Sequence, residues 1–495
     1  MHKEAIMKIH FKRLWLLTVL LTCLTASSAW AMSSFIPGAH SVVVQKVDNL
    51  TTIGDKDRLT AKEWAVRELN RSALAPNDFI QDGDKMKAVR PKWYTPQDAV
   101  PGYMITGYFG DSQFCIRMPY NWNGKLVASP SPGIRPYWSS DTTFSDYVLP
   151  KGYAYVTSDK GTTPEVLPDL DRTLDKDGTV WMNWRSAFSA FGPMPEGKGI
   201  DDSVQEWGER LKQATLAGKL VCEKIYGHSP SRTYLIGQSN GGYAVRYALE
   251  RFGDLYDGGV DWEGMFWHPT SHNALNVFRD YIKYGWTLYK DKAATQEQKE
   301  AAQKALYQYM EPGSEFIWPQ YYDIYWSSIP YLYGTRIDPD FLPGIRWTEF
   351  LKNPLEWAEY DFAKRPAKAK RNMDLIKNTG NISKPLISVF GTYDSLCTVR
   401  DCALPYQELV EKAGHKDIYR LYLVERGSHL DGWANDPKRD PNGVIQPVLP
   451  YVHQSFDALV DWVENGKEPP ANKTIPAADG GKVYDLIDGK LIDPY

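Results

Sequence analysis

The sequence predicts an α/β protein: a mostly parallel sheet with helices on both faces, interrupted by an inserted, aromatic-rich segment. Three observations carry this. Short apolar runs rich in β-formers alternate with amphipathic helical stretches from residue 102 to residue 266, and again from residue 384 to residue 466. Several of these runs are apolar on consecutive residues, as strands buried on both faces are. Between the two halves, residues 267–372 have a different composition, crowded with Trp and Tyr.

The elements follow in order. "GYMITGYFG" (102–110) and "SQFCIRMP" (112–119) are strands divided at Gly-Asp, a hairpin signal. "KLVASP" (125–130) and "YAYVTSDKG" (153–161) are short buried strands. "DDSVQEWGERLKQATLAGKLVCEKIYG" (201–227) sets Trp207, Leu211, Leu216, Leu220 and Val221 at helical spacing and stops at Gly227. "TYLIG" (233–237) is a strand, residues 240–252 a helix and "GGVDWEGMF" (258–266) a strand. The insertion carries a helix in "ATQEQKEAAQKALYQYM" (294–310). The sheet resumes with "KPLISVFGTYD" (384–394), then a helix in "CALPYQELVEKAG" (402–414), a strand in "YRLYLVERGSH" (419–429) and a closing helix in "YVHQSFDALVDWVENG" (451–466). The expected division is a leader (1–31), an extension wrapping the core (32–100), a first core half (101–266), a lid (267–372) and a second core half with a C-terminal tail (373–495).

Composition narrows the class. The chain has 495 residues and is 43% hydrophobic, enough for a large core. A net charge of −4 with mixed signs offers no basic face for nucleic acid and no electrostatic reason to bind an anionic membrane. With 18 Trp and 31 Tyr, the chain either has aromatic core edges or a wide apolar site with polar tips.

At the N-terminus, Lys8, Lys12 and Arg13 precede "LWLLTVLLTCL" (14–24), and Ala29-Trp30-Ala31 follows. That is a charged, then apolar, then small-residue pattern, the form of a secretory signal. The apolar run is too short to span a bilayer. Export to a bacterial periplasm or beyond is the expectation. Thr22 before Cys23 fits lipoprotein cleavage poorly.

Beyond the leader remain Cys115, Cys222, Cys397 and Cys402. An even number in an exported chain favours disulfides. Cys397 and Cys402 would close a small loop, leaving Cys115 with Cys222. There is no C-x-x-C pair to suggest a zinc ribbon.

"YLIGQSNGGYAVRYALERFG" (234–253) carries the chemistry. Gly237-Gln238-Ser239-Asn240-Gly241 sits where a strand ends and a helix begins, the context of a nucleophile elbow. Small residues are needed on both sides because so sharp a turn brings the backbone against its neighbours. A serine there needs a base, and the base an orienter. Downstream, Asp394 follows one strand and His429 the next, with room between for one helix.

Asp257, Asp261 and Glu263 are rival acids, while Asp431 is too near His429 in sequence to orient it easily. His268 and His272, spaced i and i+4, are interrupted by Pro269, which argues against a metal pair; both are expected near the serine. An oxyanion hole would draw on the N–H of Asn240 and on the loop "SPSPGIRPYW" (129–138). There Gly133 permits the turn and Ile134 supplies the second N–H. Gln238, Trp267, His268, Trp326 and Trp433 are the expected substrate-lining residues. Most of the aromatic material lies in "FIWPQYYDIYWSSIPYLYG" (316–334), which would form a pocket or pack the lid on the core.

The order of these motifs resembles the α/β-hydrolase superfamily over residues 100–466. "FCIRMPYNWNGKLVASPSPG", "LPKGYAYVTSDKG" and "GQSNGG" are similar to stretches of exported bacterial serine esterases of the tannase/feruloyl-esterase-like or hydroxyalkanoate-depolymerase-like kinds. The resemblance implies Ser239 as nucleophile, His429 as base and Asp394 as acid, with acyl-enzyme chemistry needing no metal or organic cofactor. The expected partner is a small or oligomeric ester. A serine peptidase would need acids to hold a substrate amine, for which "VDWEG" (260–264) and "DDSVQEWGE" (201–209) are sources. A non-catalytic binding protein on this scaffold would show a decayed triad. A carbohydrate-binding module would explain the aromatics and not the elbow.

Overall fold

The computed structural model describes residues 36–54, 98–133, 137–161, 203–270, 272–345, 347–434, 439–478 and 481–494, with residue 96 and the stretches 79–82, 85–88, 172–174 and 180–183. Residues 1–31, expected to be a leader, and Ile134 lie outside the described residues.

Ten strands form one sheet. They are β1 (His40–Val47), β2 (Gly102–Phe109), β3 (Ser112–Pro119), β4 (Lys125–Pro130), β5 (Ala154–Ser158), β6 (Arg232–Gln238), β7 (Gly258–Trp262), β8 (Leu386–Gly391), β9 (Tyr419–Val424) and β10 (Lys473–Ile475). Their order is β1-β2-β3-β5-β4-β6-β7-β8-β9-β10. The first strands pair antiparallel, and from β5 to β10 every neighbour is parallel. The extension therefore does more than wrap the core, since β1 adds an edge strand. Phe79–Asp82, Lys85–Ala88, Val180–Asn183 and Arg172–Leu174 make a separate four-stranded antiparallel sheet.

The main helices are α1 (Val204–Tyr226), α2 (Asn240–Arg251), α3 (Ala274–Tyr289), α4 (Gln296–Leu306), α5 (Ile329–Ile337), α6 (Ala367–Ile376), α7 (Leu404–Lys412) and α8 (Leu449–Asn465). Ser203 caps α1 by accepting from the Glu206 N–H, and Gly227 ends it at φ 85°. Both faces of the sheet are buried because successive strand residues enter different cores. In β6, Leu235 packs with Trp207, Leu211 and Tyr243, while Tyr234 and Ile236 pack with Phe456 and Leu459 of α8. Burying each such side chain contributes about 1.5–3 kcal/mol, which is why unbroken apolar strands are selected here.

Between β7 and β8, the described residues of 263–385 leave the sheet and form a helical cap. Its large aromatics, Trp318, Trp326 and Trp357, are fully buried and continuous with the core on the α1 face. Most of the insertion's aromatic surface thus holds the cap down.

The expected disulfides are not formed. Among the described residues no bridge joins Cys397 to Cys402 or Cys115 to Cys222, and all four side chains are buried. The Cys397 and Cys402 thiols face one another, and burial raises the Cys397 thiol well above its ordinary value. No described helix is long and apolar enough to cross a membrane.

Candidate active site

Ser239, Asp394 and His429 each lie just past the end of a parallel strand. Such a sheet gathers ligands at its carboxyl edge, where the strand order reverses. That reversal falls between β4 and β6.

Ser239 follows β6 with φ 56° and ψ −120°, a conformation that costs a non-glycine residue about 1–3 kcal/mol. The surroundings hold it there. Its N–H donates to the Trp262 carbonyl at 2.8 Å, and its carbonyl accepts from Tyr243 at 2.9 Å. A Cβ on Gly241 would lie 2.6 Å from the Pro130 carbonyl oxygen, so glycine lets the elbow meet the end of β4. This close approach sets the loop carrying Gly133 (φ 50°) beside the start of α2. The first N–H groups of α2, Asn240's included, have no partner within the helix and carry its positive end. The Asn240 side chain donates to the Tyr333 hydroxyl from α5.

Asp394 and His429 meet as the spacing predicts. Nδ1 of His429 lies 2.8 Å from Oδ2 of Asp394. The other carboxylate oxygen accepts from the Leu396 and Cys397 N–H groups at 2.7 and 3.0 Å, which fixes the carboxylate. Nε2 of His429 is buried with no hydrogen-bond partner among the described residues. It is the nitrogen left to take a proton.

Glu263, read as a rival acid, also reaches this histidine. It follows β7 at φ 51°, is fully buried and has Oε2 3.3 Å from Nδ1 of His429. Its Oε1 accepts from the Gly391 N–H at 2.9 Å. Burial, and then the Asp394 charge, raise its proton affinity. Burial alone would lower His429, but Asp394 and then Glu263 outweigh it and push it up to about 10.

The other rival acids are committed elsewhere. Asp261 pairs with Arg246 and Ser388, Asp257 accepts from Thr233 at the far end of β6, and Asp431 accepts from Val448 and Leu449 at the start of α8.

Four of the five expected substrate-lining residues are buried. Gln238 is buried, and its Nε2 donates to the His429 carbonyl at 3.0 Å, stapling elbow to histidine loop. Trp267 is buried, edge-on to Tyr333 at 4.9 Å. Trp326 is buried with its indole N–H on the Ser395 carbonyl at 2.7 Å. Trp433 is buried against Tyr321 at 4.9 Å. Each has the size and polarity of a pocket residue and is buried among neighbours, and the Trp267 indole N–H has no hydrogen-bond partner among the described residues.

His268 faces Thr270, Phe266 and the charges of Lys377 and Lys412, and no described contact joins it to Ser239 or His429. His272 pairs with Asp401 at 3.1 Å.

Two aromatic residues of the cap do touch the histidine. The Tyr321 hydroxyl accepts from the His429 backbone N–H at 2.9 Å, and the half-buried Tyr325 ring stands edge-on to the imidazole at 6.2 Å. Nothing in the spacing of "QYYDIYW" singles them out from their neighbours.

Asp394, Cys397 and His429 also bring a carboxylate, a thiol and an imidazole nitrogen within 4.8 Å of one another. A divalent cation bound there would require a thiolate and a bare Nδ1. Here the thiol is held protonated by burial and Nδ1 is hydrogen-bonded to Asp394, so the set is organised around a proton.

The strand order, with a strained serine turn after the central strand, is that of the α/β-hydrolase fold. Relatives named as ester hydrolases share parts of its sequence or shape. Over 159 residues the chain is 28% identical to mono(2-hydroxyethyl) terephthalate hydrolase of Piscinibacter sakaiensis; the match covers 31% of this chain and 23% of that enzyme. Feruloyl esterase B from Aspergillus oryzae is similar in structure at a TM-score of 0.46 and 14% identity, over 92% of this chain and 90% of that one. Tannin acyl hydrolase from Aspergillus niger gives 0.47 and 14%, over 93% and 88%. No family model matches the chain.

Proposed function

We propose that the protein is an exported serine hydrolase of carboxylic esters, working through Ser239, His429 and Asp394. The observation that carries this reading is the hydrogen bond between Nδ1 of His429 and Asp394, with Nε2 left unpartnered, at the same sheet edge as a serine on a strained turn.

In this mechanism His429 Nε2 takes the Ser239 proton as the oxygen attacks the ester carbonyl. The oxyanion is held by the N–H of Asn240 and by a second N–H from the Gly133–Ile134 turn, each donor contributing about 3 kcal/mol. The imidazolium returns its proton to the leaving alcohol, and water then releases the acid. Asp394 fixes the tautomer and stabilises the cation.

A peptidase is the weaker reading. Three of the acids that would hold a substrate amine are spent inside the protein: Asp261 on Arg246, Glu206 on Arg210, and Glu263 against His429. The half-buried Tyr325 beside His429, and relatives that act on terephthalate, feruloyl and tannin esters, support an aromatic ester. The leader pattern in residues 1–31 supports export.

The test is a panel of aryl and alkyl esters against peptide anilides, with Ser239→Ala as control. Turnover of aromatic esters lost in Ser239→Ala is expected. Faster cleavage of the anilides would favour the peptidase, and no turnover of any member would reject the proposal.

A further inference from the structure

His429 has two carboxylates on one nitrogen. Asp394 comes from the loop after β8 and Glu263 from the end of β7, at 2.8 and 3.3 Å from Nδ1. We propose that Glu263 is a second acid of this site, a positioning residue that shares one proton with His429 and takes over the orientation of His429 when Asp394 is lost. The proposal rests on the reading of His429 as the base.

Geometry requires some such sharing. Both carboxylates and the ring are buried. Nδ1 carries a single hydrogen, and Asp394 takes it at the shorter distance. Oε1 of Glu263 is already an acceptor, of the Gly391 N–H. Its Oε2 is buried without a hydrogen-bond partner. The residue reaches this place only by adopting a left-handed backbone that glutamate ordinarily avoids.

The groups facing Glu263 are Asp394 and the Cys397 thiol from the loop after β8, His429 from the loop after β9, and the Tyr321 phenol from the cap. No cation other than the imidazolium is among them. Two ionised carboxylates with a neutral ring would leave two negative charges in a buried space, and one added proton reduces that to one.

That proton has two seats, Oε2 of Glu263 and Nε2 of His429. Moving it between them leaves the total charge unchanged. On Glu263 the ring is neutral and ready to accept from Ser239; on Nε2 the base is blocked. The cluster therefore titrates as a unit.

Two measurements test this. In Ser239→Ala protein labelled with 15N-histidine, the ring titration of His429 is followed by NMR. Glu263→Gln keeps an acceptor for Gly391 and removes the charge. It should lower the His429 midpoint by about one pH unit or more, the shift expected for a carboxylate within 4–6 Å. An unmoved midpoint overturns the proposal.

The second measurement is ester turnover and does not depend on that variant folding. Asp394→Asn should lose at most about 10²-fold because Glu263 ionises and holds Nδ1–H. Where one aspartate alone does this work, the loss is about 10⁴-fold. An Asp394→Asn enzyme that loses 10⁴-fold overturns the proposal. Where both variants fold, Asp394→Asn combined with Glu263→Gln should fall at least a further 10²-fold. Turnover surviving Ser239→Ala would instead reject the hydrolase reading, and the NMR midpoint would still decide the role of Glu263.

Discussion

The two sides of the site are built differently. On the nucleophile side, Ser239 is positioned by backbone: a strained turn, three main-chain hydrogen bonds and a glycine pressed against the end of β4. On the base side, His429 is positioned largely by side chains that converge from four places. Asp394 holds Nδ1, with Glu263 3.3 Å from the same nitrogen, Gln238 holds the carbonyl, and Tyr321 of the cap holds the N–H. A nucleophile that only has to be presented can be fixed by local chain geometry. A base that changes charge needs partners that respond to charge, and those come from distant parts of the sequence.

The sharpest break removes either side entirely. Ser239→Ala and His429→Ala should each lower kcat by about 10⁴–10⁶-fold with the fold retained, checked by ester turnover beside circular dichroism. The pH profile separates the sides next. His429 is raised toward about 10, so below that value the protonated, inactive ring is favoured and raising pH frees the base. Turnover should still climb by roughly threefold or more between pH 7 and 9, rather than level off at the ordinary histidine value.

On the base side, Tyr321→Phe removes the acceptor of a buried N–H, a loss of about 1–3 kcal/mol. A kcat lowered about tenfold with KM little changed is the expected signature. On the nucleophile side, Gly241→Ala should act through folding, lowering stability by about 1–3 kcal/mol in denaturant melts because the new methyl meets the Pro130 carbonyl. The smallest effect is expected from Gln238→Met, which removes one neutral hydrogen bond worth about 0.5–1.5 kcal/mol and should change turnover only a few-fold.

This division also explains what the sequence disclosed. The elbow was legible because its determinants are local: an apolar strand, three small residues around Ser239 and a helix start. Asp394 and His429 were legible because each lies just past a strand that reads clearly. Edge strand β10 is only three residues long and carries no comparable signal, whereas the Val42–Val44 run of β1 was legible and was absorbed into the extension. Glu263 was visible only as a rival acid, since nothing in "VDWEGMF" reveals that a left-handed turn brings it onto the histidine. The aromatic candidates were ambiguous for a physical reason. Trp267, Trp326 and Trp433 are as apolar in a cap–core interface as in a pocket, and composition does not distinguish the two. The cysteine count misled, because a buried thiol and a bridged one leave the same letter.

The central claim is that Ser239 and His429 form one working nucleophile–base unit. Treating the protein with a fluorophosphonate and locating the adduct by peptide mass spectrometry tests it most directly. A stoichiometric adduct on Ser239, abolished by His429→Ala, is the predicted result. Folded protein that takes no adduct, or takes it on another residue, would contradict the claim.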